Sequence, residues 1–132
     1  MTLDVGLESL DKRTGPLDQK LVVSLEAGEL GFLIDVVQKI YLFTGTVLDL
    51  YEDARLQGPQ LLLFERLINE ALIDAESNPI SWNQFTGFLF QPGNRKEQTL
   101  IFRDEVITKL NSLIFLTRQA HESNRSLFFF GD

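Results

Sequence analysis

At 132 residues, with 44% hydrophobic and 23% charged residues, the chain suits one domain with its own core and is too apolar to be disordered. It contains no cysteine, which excludes thiolate metal sites, redox motifs and thiol nucleophiles, and its formal charge of −7 opposes nucleic-acid binding.

The charge is uneven. Residues 1–78 hold fourteen acids and six bases, whereas residues 79–132 hold five acids and six bases. An acidic front half suits solubility or a basic protein partner. The first residues, MTLDVGLESLDKR, lack the basic head and apolar run of a secretory signal. No apolar stretch approaches the roughly 18 residues of a membrane span. These features predict a soluble, cytoplasmic protein with no membrane or nucleic-acid partner.

Residues 1–19 are polar and carry Gly6, Gly15 and Pro16, so they read as an arm or loop with one helical turn near Leu7 to Leu10. Lys20 to Leu25 (KLVVSL) is short and rich in β-branched residues, which predicts a strand. Glu29 to Phe43 carries two adjacent apolar stripes. Leu30, Leu33, Ile34, Val37 and Tyr41 form one, and Phe32, Val36, Ile40 and Phe43 form the other. A helix apolar on two sides is either central to its domain or covered in an oligomer, and the reading here places it centrally. Thr46 is positioned to cap a helix from Val47 to Leu56. Leu61 to Ala75 has the clearest helical pattern, with Phe64, Leu67, Ile68, Ala71, Leu72 and Ala75 in one stripe. Pro59 suits its first turn, and Asn78-Pro79 stops it.

The segment from Pro79 to Asn94 has no charged residue and contains Trp82, Phe85, Phe88 and Phe90. Its aromatic content and Gly87 favour a hairpin pairing Phe85–Gln91 with Thr99–Phe102, with Arg95 and Lys96 at its tip. A Ser81/Gln84 capping box is the helical alternative. Asp104 can cap a final helix from Glu105 to Glu122, and Ser126 to Phe130 (SLFFF) reads as an interior strand beside Lys20 to Leu25. The sum is an α+β domain, with about four helices packed with a small antiparallel sheet. An all-α bundle follows instead if the Trp82 segment is helical.

Catalytic and metal signals are weak. His121, the sole histidine, lies near a predicted helix C-terminus, where its charge is favourable. Asp49, Glu52 and Asp53 would share a face of the Val47 helix and could hold a hard cation, but a solvated acidic face explains them more simply. Asp74, Glu76 and Asn78 begin a calcium-loop spacing that Pro79 and Phe85 break. No phosphate loop, dinucleotide fingerprint or nucleophile elbow occurs. The sequence therefore predicts a non-enzymatic protein-binding module of inhibitor, immunity or adaptor type, without cofactor or metal. Its predicted contact residues are Trp82, Phe85, Phe88, Phe90, Arg95 and Lys96. The alternative is a structural subunit that homo-oligomerises through the Glu29 helix and the SLFFF tail.

Overall fold

The computed structural model describes residues 2–11, 13, 15–87 and 98–131. Among them the class is α+β. Ten elements run β1 (Leu3–Glu8), β2 (Leu17–Leu25), α1 (Ala27–Phe32), α2 (Ile34–Thr44), β3 (Ala54–Leu56), α3 (Pro59–Glu76), β4 (Ser81–Phe85), β5 (Gln98–Phe102), α4 (Arg103–Glu122) and β6 (Leu127–Gly131).

The larger sheet has four strands in the order β2-β1-β6-β3, all antiparallel. Leu3–Glu8 is therefore a strand rather than part of a loose arm. Leu3, Val5 and Leu7 alternate with Asp4, Gly6 and Glu8, and this period of two builds an inner strand whose Leu3 and Val5 are fully buried. Gly6 does not break the strand. It lies where the β1–β2 register shifts, and a Cβ there would come within 3.3 Å of the Leu21 carbonyl oxygen. The SLFFF tail is a strand, as its composition predicts, but its neighbours are β1 and β3 rather than β2.

One row of the sheet runs Val23, Val5, Phe129 and Ala54. Its Phe129 ring meets Phe64 of α3 edge-on, with centroids 5.5 Å apart. Helices α3 and α4 pack against each other, and α4 also touches β1, β2 and β6. The core lies between this helix pair and the sheet. Helix α3 buries Phe64, Leu67, Ile68, Ala71 and Ala75, the stripe its spacing predicts, while Leu72 is half-buried. Just past the end of α4, Asn124 has a φ of 57°, and the Arg125 N–H reaches back to the Ala120 carbonyl.

Two helical expectations are corrected. The Glu29 stretch is interrupted at Leu33, which closes α1 and opens α2. Helix α2 is peripheral rather than central: it buries only Val36 and Ile40 and leaves Tyr41, Leu42 and Phe43 exposed. No helix spans Val47 to Leu56. The Asp49 carboxylate accepts the N–H groups of Tyr51 and Glu52, a local turn that competes with helix, and the chain then extends as β3. No described helix is long and apolar enough to cross a membrane.

Candidate functional site: the outer face of a two-stranded hairpin

The second sheet is a hairpin of β4 and β5, pairing Ser81 with Phe102, Trp82 with Ile101, Asn83 with Leu100 and Phe85 with Gln98. The predicted second strand, Thr99–Phe102, is present, but it pairs with Ser81–Phe85; of the predicted first strand, Phe85–Gln91, residues 88–91 lie outside the described residues. Ser81–Phe85, which holds Trp82, is accordingly strand and not helix.

Pleating divides the side chains into two faces. Trp82, Gln84, Thr99 and Ile101 share the inner one, which lies over α1. Trp82 is half-buried, its ring 5.6 Å from that of Phe32 and its Nε1–H donating to Gln84 Oε1 at 2.9 Å. The strands can come this close because α1 presents glycines. A Cβ on Gly31 would lie 2.7 Å from the Phe85 carbonyl oxygen, and one on Gly28 would lie 2.4 Å from Ile101 Cγ2. Helix α1 is anchored in turn by Glu29. This buried carboxylate accepts the Glu26 N–H at 2.9 Å and pairs with Lys109 of α4 at 2.7 Å.

The outer face carries Ser81, Asn83 and Phe85 from β4 and Gln98, Leu100 and Phe102 from β5, with no charged side chain. Phe85 is 40%, Leu100 52% and Phe102 44% exposed. Exposed Asp104 and Glu105 follow directly in the first turn of α4. Asp104 pairs with Arg103 at 3.3 Å, whereas Glu105 has no ion pair among the described residues. The site is thus an apolar strip with an acidic border.

The predicted contact residues separate. Phe85 lies on the exposed strip, its ring beside Gly87, while Trp82 points to the opposite, inner face. Phe88, Phe90, Arg95 and Lys96 lie outside the described residues. Leu100 and Phe102 were missed. Their signal is in Thr99-Leu100-Ile101-Phe102, where a strand carries apolar residues at both parities and can bury only one set.

Other polar clusters are occupied structurally. Asp49 closes its turn and Asp53 accepts the Gly131 N–H at 3.0 Å, and without a Val47 helix these acids do not share a helix face. No metal-binding cluster of His, Asp and Glu occurs among the described residues. An open cleft of about 380 Å³ lies where β2 meets the end of α4, lined by Leu7, Leu21 and Leu116 with Asp18, Lys20 and Arg125 among its charges. There the Arg125 guanidinium donates to the Glu8 carbonyl and to Asp18 Oδ2 at 3.4 Å, tying the two strand ends to the helix terminus. The Lys20 backbone N–H, and then Arg125, hold the Asp18 carboxyl below the ordinary carboxylate range. His121 lies exposed in the last turn of α4.

Compared with protein-family models, with curated proteins and with solved structures, the chain matches none.

Proposed function

We propose that this protein is a non-enzymatic protein-binding module of inhibitor, immunity or adaptor type, and that it meets its partner through the outer face of the β4–β5 hairpin. The single observation that carries the reading is the uncharged strip of Phe85, Leu100 and Phe102, left exposed although the same strands have a packed inner face. Aromatic and aliphatic side chains surrounded by polar groups are the usual centre of a protein contact. The acidic border at Asp104 and Glu105, with the acidic balance of residues 1–78, favours a basic surface on the partner.

The test replaces Leu100 with Asp and Phe102 with Ser in one variant. Both side chains are about half exposed, so the fold should tolerate the change. Affinity capture with wild type should retain one basic protein whose binding weakens as salt rises. The variant should bind it at least about thirtyfold more weakly, corresponding to about 2 kcal/mol for lost central contacts. Equal capture by both chains, salt-independent binding, or no partner for wild type would each remove the proposal.

A further inference from the structure

Helix α2 poses a separate question. Its inner stripe, Val36 and Ile40, is buried against the domain. Its outer stripe is Ile34, Gln38, Tyr41 and Leu42, at the three- and four-residue spacing of a packing helix, while Val37 lies between the two stripes and packs against the core. Ile34 and Val37 are half-buried, while Tyr41 is 56% and Leu42 75% exposed. A two-sided apolar helix belongs at the centre of a domain or under a neighbour, and this one is not at the centre.

The charges beside the stripe indicate which neighbour. Asp35 and Lys39 lie on the same flank of α2, equally far in sequence from Val37. Neither forms an ion pair among the described residues. When two identical helices pack antiparallel about a two-fold axis, like flanks meet and residues on either side of the axis exchange. An axis near Val37 brings Asp35 of each copy to Lys39 of the other. Within one residue of the same register, Ile34 meets Tyr41. Although the chain carries a charge of −7, this helix is neutral and its charge pattern complements itself.

We infer that α2 is a homodimer contact, in which a second copy of this chain packs antiparallel across Ile34, Tyr41 and Leu42 with reciprocal Asp35–Lys39 pairs. The contact is independent of the hairpin site. A helix of 11 residues is about 16 Å long, too short to bury the ~1,600 Å² of a standard interface. The dimer is therefore weak, with a dissociation constant in the micromolar range or above.

Sedimentation velocity of the full chain over a concentration series tests this. Wild type should pass from monomer to dimer, and Leu42→Glu should remain monomeric. Asp35→Lys and Lys39→Asp should each oppose like charges at both symmetric contacts and weaken dimerisation about tenfold. Mixing those two variants restores both pairs between unlike chains, so the mixture should dimerise at least as well as wild type. A wild type that stays monomeric to millimolar concentration overturns the inference, as does a dimer that survives Leu42→Glu. Single reversals that dimerise like wild type, or a mixture no better than its components, overturn the antiparallel register. The hairpin variant bearing Leu100→Asp and Phe102→Ser should dimerise normally, which separates this outcome from that of the partner-binding proposal.

Discussion

A methyl group on Gly31 would sit 2.7 Å from a carbonyl oxygen, and one on Gly28 would sit 2.4 Å from a β-branched side chain. Neither obstacle can swing aside, so Gly31→Ala and Gly28→Ala should each destabilise by about 1–3 kcal/mol, despite the better helix propensity of alanine. Trp82, the only tryptophan, lies on the face that would lift, and its fluorescence during urea titration reports the change. Glu29 sets a second test. It is buried and its partner Lys109 is mostly so, hence Lys109→Met should cost about 2–3 kcal/mol by leaving the carboxylate unpaired. Adding Glu29→Gln, which keeps an acceptor for the Glu26 N–H, should recover much of that loss in a double-mutant cycle. Asp18 links stability to pH. Its folded-state pKa lies below its unfolded value, because the Lys20 N–H and then Arg125 favour the carboxylate. Its contribution is therefore complete above the unfolded pKa of about 4 and fades as pH falls through the folded one. Asp18→Asn should lower stability at pH 7 by no more than about 1 kcal/mol, and the two proteins should converge in acid.

At the scale of elements, β1 makes the sharpest claim. It lies between β2 and β6, so removing residues 1–8 should unfold the domain, seen as loss of the cooperative thermal transition. Trimming a loose arm would leave that transition in place. Much of this architecture could be read from the chain. Helix α3 followed from one uninterrupted apolar stripe with Pro59 in its first turn, and α4, expected over Glu105 to Glu122, starts two residues earlier at Arg103. The misreadings have local causes. Gly6 looked like a breaker because its strand role depends on β2 coming close, which no local pattern encodes. The segment before β3 looked helical because Val47, Leu50, Tyr51 and Ala54 recur at helical spacing. There the Asp49 carboxylate and pairing with distant β6 decide the outcome. The same limit applied to the hairpin site. Aromatic content located the segment, but only docking on α1 determined that Trp82 faces inward while Leu100 and Phe102 face outward.

For the whole molecule, the sheet joins the two ends of the described chain, with Leu3 opposite Gly131 and Leu7 opposite Leu127. Phe129 is the side chain through which that strand reaches α3, so Phe129→Ala should cost about 3–5 kcal/mol in chemical denaturation. The helix pair, by contrast, is held by contacts nearer in sequence. Because β6 lies between β1 and β3, the four-stranded sheet is not complete until β6 has left the ribosome. Until then the β1–β2 pair has an open edge beside an unfilled apolar row, the condition in which nascent chains recruit chaperones or associate wrongly. This protein should therefore complete its fold only after its sheet residues are fully synthesised. Ribosome-stalled chains ending before Leu127 should remain protease-sensitive, while chains extended past Gly131 by a flexible tether should become resistant.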